Sequence, residues 1–221
     1  MPSKYTVIFI LICSLGLAGC NPDGPGTKWE IHDTTPPVIE RTRVEVEPRQ
    51  VPTRSKYPLG WIPPSRLKNK SRWQGIVIHH SASSYGSAAH EDKSHKARGW
   101  GGLGYHFVIN NGVYRNGYGK KNGLVEVGYR WRDQMKGSHC RVNGDRSNYW
   151  NKHTIGICLI GNFENTRPTQ QQMRSLVSLV KFLQQRYNIP TSKIKGHKDI
   201  KPTDCPGKYF SFYELRNRLS K

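Results

Sequence analysis

Apolar positions fall into a few short runs and one long periodic stretch, and the runs predict the elements. Gln74-Gly75-Ile76-Val77-Ile78 is a compact β-rich run that delivers His79-His80-Ser81 at its end, as a buried strand would. Tyr105-His106-Phe107-Val108-Ile109 predicts a second strand. Asn110-Asn111-Gly112 follows it, a hairpin signal because Asn and Gly tolerate positive φ, and Val113 to Arg115 is expected to return as the partner strand. Ile155 through Ile160 is almost wholly apolar, the pattern of a central strand covered on both faces. The clearest helix begins after Thr169, which with Gln172 forms a capping box. Met173, Leu176, Val177, Val180, Leu183 and Tyr187 keep helical spacing until Asn188-Ile189-Pro190 stops it, and Phe212, Leu215 and Leu219 predict a short terminal helix. Strands interleaved with helices predict an α/β fold, a single domain with a central mixed β-sheet flanked by helices.

The N-terminal part follows different rules. After Lys4 an apolar run from Tyr5 to Leu17 ends in Leu17-Ala18-Gly19-Cys20. It is shorter than the roughly 20 residues a spanning helix needs, and it resembles a bacterial lipoprotein signal. That resemblance implies a signal peptide over 1–19, a lipid on Cys20 and a membrane-anchored protein in the cell envelope, facing the periplasm or the exterior. Residues 20–58 are interrupted by Pro36-Pro37, Pro48, Pro52 and Pro58 and read as an extended linker, which places the folded domain at 59–221. A chain of 221 residues has room for one such domain, expected as a monomer.

The formal net charge of +20 points to an anionic partner. Removal of residues 1–19 takes away only Lys4 among the charged side chains, so the balance survives processing. No nucleic-acid motif accompanies the charge, and an exported basic chain meets acidic wall polymers, peptide carboxylates or anionic lipid headgroups instead. Of five cysteines, Cys13 leaves with the signal and Cys20 is claimed by lipid, leaving Cys140, Cys158 and Cys205. An odd set in an oxidising compartment means that at least one thiol has another occupation, and a metal is one such occupation. A Cys140–Cys158 disulfide is open at this point.

The landmarks Ile76-Val77-Ile78-His79-His80-Ser81-Ala82, His95 with Arg98-Gly99-Trp100, Gly104-Tyr105-His106-Phe107, Gly137-Ser138-His139-Cys140, Ile155 to Phe163, and Gly196-His197 through Cys205-Pro206-Gly207 stand in an order that resembles one family. It is the zinc amidase family that includes bacteriophage lysozyme-type amidases and the animal peptidoglycan recognition proteins. The resemblance covers about residues 74–220. It implies a Zn2+ site at the strand ends, held by His79, His197 and Cys205, and hydrolysis of the amide bond between N-acetylmuramic acid and L-alanine in peptidoglycan.

Two neutral imidazoles and one thiolate would leave the zinc centre with net positive charge and its water more acidic. The resemblance puts the Tyr105 phenol beside that water as a donor to the developing oxyanion, with Thr203 where some relatives carry a Lys. Cys158 stands where a recycling branch has a Glu general base, and it reads as a small core residue. His80, His95, His106 and His139 are expected to support the ligands or line the groove, Asp199 to order its loop or support a ligand, and Trp100 and Trp131 to lie along a sugar and peptide groove or in the core. The rival reading is a non-catalytic binder of peptidoglycan or muropeptides, but such relatives typically lack the cysteine or the tyrosine that this chain retains.

Overall fold

A computed structural model describes residues 56–63 and 72–221. The predicted signal over 1–19, the predicted acylation site Cys20 and the predicted linker up to residue 55 lie outside the described residues. Tyr57 already packs on the domain, its ring 5.1 Å from Phe182 and its hydroxyl donating to Gln185 Oε1 at 3.0 Å. Among the described residues no helix is long and apolar enough to cross a membrane.

Five strands form one mixed sheet, ordered β3-β2-β4-β1-β5. Here β1 is Gly75–His80, β2 Phe107–Ile109, β3 Val125–Val127, β4 Thr154–Leu159 and β5 Ile194–Gly196. Central β4 lies parallel to β1 and β2, β5 lies parallel to β1, and only the edge strand β3 is antiparallel, against β2. Helices α1 (Ala88–Ala97), α2 (Tyr129–Arg132), α3 (Tyr149–His153), α4 (Gln170–Tyr187) and α5 (Phe212–Leu219) complete the α/β domain.

The partner of β2 differs from the expectation of Val113 to Arg115. Asn111 does open a turn, its Oδ1 accepting from the Val113 N–H at 3.0 Å. The chain then swings into solvent, with Tyr114 69% exposed and Arg115 bridged only to Tyr118. It re-enters the sheet ten residues later, where hydrogen bonds of 3.0 and 2.8 Å between Asn110 and Leu124 and between Gly123 and Asn110 close the loop. A strand at the predicted place would have needed an inward apolar face, and Val113 and Tyr114 have none.

Alternation along the strands divides the sheet into two unlike faces. Ile76, Ile78, Phe107, Ile109, Ile155, Ile157 and Leu159 point to one side, where they pack with Met173, Leu176, Leu179, Val180 and Leu183 of α4 and Leu215 of α5. Truncating one of these, Leu176→Ala for instance, would cost about 2–5 kcal/mol. Thr169 and Gln172 cap α4 reciprocally as expected, and Asn188 ends it in the left-handed conformation at φ 54°. The Gln172 amide also donates to the carbonyls of Ile109 and Ile160, tying the helix start to the ends of β2 and β4. The other face carries His79, Val108, Gly156 and Cys158, whose neighbours are Leu103, Ile160 and Ala88 of α1.

Candidate metal centre

In β1 and β5, Ile78 stands opposite Gly196, so the chain leaves both parallel strands at the same edge. That brings His79 and His197 side by side, with ring centroids 4.6 Å apart. The loop after β5 returns Cys205 to the same point, its Sγ 3.6 Å from His79 Nδ1 and accepting from the His80 backbone N–H at 3.4 Å. One donor atom from each of His79, His197 and Cys205 lies within 4.8 Å of the others. Asp199 orders this loop by accepting from the Gly196 N–H at 2.8 Å, and the Lys198 N–H donates to the Cys205 carbonyl at 2.8 Å.

The donor set fits a metal. His197 Nε2 is buried with no hydrogen-bond partner, a costly condition unless its lone pair is used. Burial, and then the neighbouring His139 and His197, hold the His79 imidazole well below its ordinary range, while burial lowers His197 to about 4. Both rings are therefore neutral near pH 7 and free to donate a lone pair. Burial pushes the Cys205 thiol up to about 12, so its proton leaves only when a cation compensates the thiolate. Two nitrogens and one sulfur suit a tetrahedral ion such as zinc, with one position left open.

His139 is the main functional residue whose role the sequence left indistinct. Its Nδ1 lies 3.0 Å from His79 Nε2, and its Nε2 lies 3.3 Å from the Thr154 carbonyl. With Nε2 of each ring protonated, His79 donates to His139, His139 donates to Thr154, and His79 Nδ1 is left bare on the side facing Cys205. Asn151 Oδ1 accepts from the backbone N–H groups of His139 and Cys140 at 2.8 and 2.9 Å, which holds the ring in register. A Cβ on Gly156 would stand 2.6 Å from the His139 ring. The glycine inside an otherwise apolar strand was the available signal for this close approach. His80 and His106 are braces instead: Nδ1 of His80 accepts from the Phe163 N–H at 3.1 Å, and Nδ1 of His106 accepts from the Gly156 N–H at 2.9 Å.

A cleft of about 670 Å³ opens over the three donors and is lined also by Tyr105, Thr203, His95 and Trp100. Tyr105 packs at 5.2 Å from the His79 ring, and burial raises its phenol well above the ordinary value, with Cys158, Cys205 and Glu91 adding to the effect. Thr203 Oγ1 accepts from the Cys205 N–H at 3.3 Å, and a hydroxyl so engaged can still donate its own proton. Trp100 is 43% exposed at the rim, but Trp131 lines no groove. Trp131 is fully buried against Phe107, its indole N–H donating to the Trp61 carbonyl at 3.0 Å. Cys140 and Cys158 are both free and buried.

Comparison with known proteins gives a consistent picture. The sequence profile of the family described as N-acetylmuramoyl-L-alanine amidase matches residues 69–208. The endolysin of Enterobacteria phage T3 is 31% identical over 150 residues, which span 64% of this chain and 85% of that protein. Peptidoglycan recognition protein 1 of Bos indicus is 30% identical, over 65% of this chain and 67% of its own. Among solved structures, the N-acetylmuramoyl-L-alanine amidase LysC from Clostridium intestinale superimposes with a TM-score of 0.56 at 32% identity, covering 75% of this chain and 95% of that one.

Proposed function

Because the chain belongs to the N-acetylmuramoyl-L-alanine amidase family, we propose that it hydrolyses the amide bond between N-acetylmuramic acid and L-alanine of peptidoglycan, with zinc held by His79, His197 and Cys205. The observation that carries this reading is the convergence of those three donors on the floor of an open cleft, with His197 Nε2 buried and otherwise unpartnered. When bound, zinc supplies a positive centre that polarises the scissile carbonyl and makes water a competent nucleophile at neutral pH.

The side chains account for the rest. His139 orients His79 from behind, so that the coordinating nitrogen is fixed before substrate arrives. Tyr105, with a phenol that burial keeps protonated, donates to the carbonyl oxygen as negative charge develops there. Thr203 at the cleft wall supplies a second, weaker donor. With Cys158 on the central strand in place of a carboxylate, that strand offers no general base. The basic surface favours an acidic polymer, and a lipid on Cys20 with the 20–58 linker would hold the domain at the membrane within reach of the wall.

The deciding experiment is digestion of purified sacculi by the mature chain, with and without chelator, followed by mass spectrometry. New free L-alanine amines that vanish with chelation are expected. Binding to sacculi without any new amine would replace the enzyme by the non-catalytic muropeptide binder.

A further inference from the structure

Helix α1 turns an unusual face to the sheet. Its buried residues are Glu91 and His95, one turn apart, and with Ala88 they form the inward stripe where a packed helix ordinarily carries aliphatics. Glu91 is 6% exposed and lines the cleft. Its Oε1 meets His90 Nδ1 at 3.2 Å, and its Oε2 faces His95 Nε2 at 4.0 Å. Arg98, the residue that ends α1 as its C-cap, acts on the carboxylate only through its field, and Tyr105 and Cys158 feel that carboxylate from the sheet side. Among the described residues no Lys or Arg forms an ion pair with it. A carboxylate buried without a cation, on a helix whose Ala88 packs against the Leu103, Val108, Cys158 and Ile160 cluster, destabilises the fold relative to an aliphatic side chain.

His95 shows what the carboxylate is placed to do. Its Nδ1 accepts from the Gly104 N–H at 3.0 Å, so the ring proton resides on Nε2, the nitrogen that faces Glu91. The ring packs between Trp100 at 4.9 Å and Tyr105 at 5.3 Å. The other tautomer would set two N–H groups against each other at Gly104 and release the residue that precedes Tyr105. We propose that Glu91 is a positioning residue for the amidase reaction: acting through His95, its carboxylate fixes the Gly104-Tyr105 segment and with it the phenol in the cleft. The proposal rests on the amidase reading.

The test uses two variants of the mature zinc-loaded protein. Glu91→Gln keeps the shape and is expected to lower kcat about 10-fold with KM, zinc content and Tm near wild type, the scale on which outer residues orienting a working group act. Glu91→Leu is expected to lower kcat further while Tm stays level or rises, because the buried charge is gone. Nitrogen-15 spectra should show His95 protonated at Nε2 in the wild type and a larger Nδ1-protonated fraction in Glu91→Leu. Wild-type kcat in Glu91→Gln, a Tm in Glu91→Leu that falls together with activity, or a wild-type His95 protonated at Nδ1 would each overturn the proposal. If the wild type itself releases no stem peptide, the amidase reading fails instead, and the spectra still decide whether Glu91 sets the His95 tautomer.

Discussion

Nε2 of His79 lies 3.0 Å from Nδ1 of His139, so the imidazole proposed to bind metal is oriented by a second imidazole that touches no other proposed ligand by hydrogen bond. His139→Ala should weaken zinc affinity about 10–100-fold, the usual cost of losing an outer partner. Gly156→Ala should do the same from a distance, since its new Cβ would stand 2.6 Å from the His139 ring. Competition with a fluorescent chelator measures both, and unchanged affinity in His139→Ala would remove the relay from the account.

Cys205→Ser should lose most metal and activity. A thiolate is the softer and stronger ligand, and a serine hydroxyl does not ionise to replace it. Elemental analysis at one zinc per chain in the wild type and far less in the variant is the expected result. Full occupancy in the variant would break the ligand assignment.

Tyr105→Phe should cut turnover roughly 10²–10³-fold while zinc content and muropeptide affinity hold, because the lost hydroxyl acts on charge present only in the transition state. Thr203→Val should be milder. Stem-peptide release at saturating substrate, paired with calorimetric binding, separates the two effects, and wild-type turnover in Tyr105→Phe would exclude the phenol.

Cys20→Ser should leave the precursor unprocessed or mislocalised, since the thiol at Leu17-Ala18-Gly19-Cys20 is the expected lipid acceptor. Intact mass of the mature wild type decides it. Any first residue other than a lipidated Cys20 would refute the anchor.

The elements legible in the sequence are those whose stability comes from one apolar period. Strands β1 and β4 and helix α4 declared themselves through Ile76, Ile157 and Leu176 because those residues face a wholly apolar core. Helix α1 escaped because its inward stripe is Ala88, Glu91 and His95, which a hydrophobic pattern cannot register. Strand β3 escaped because the Asn-Gly signal marks where a turn opens and carries no information on how far the loop runs before Val125. At the site, His79, His197 and Cys205 were readable as ordered landmarks. The service of His139 depends on a ring lying across Gly156, a contact between segments that no local pattern encodes. Trp131 stayed open between groove and core for the converse reason: an indole suits either, and only its burial and the Trp61 carbonyl that accepts its N–H settle which.

His79 and Cys205 stand 126 positions apart along the chain. An ion gripped by both closes a large ring, fastening the first strand to the last loop and withdrawing that freedom from the unfolded ensemble. Unlike a disulfide, the fastening opens whenever the ion is taken away. In metal-starved surroundings the tail beyond β5 would keep its packing through Phe210, Phe212, Leu215 and Leu219 and the hydrogen bond from the Tyr209 N–H to the Phe163 carbonyl, but it would lose its tie to β1 and become an easier target for proteases. On the zinc reading, metal supply would thereby set the lifetime of the protein as well as its proposed turnover.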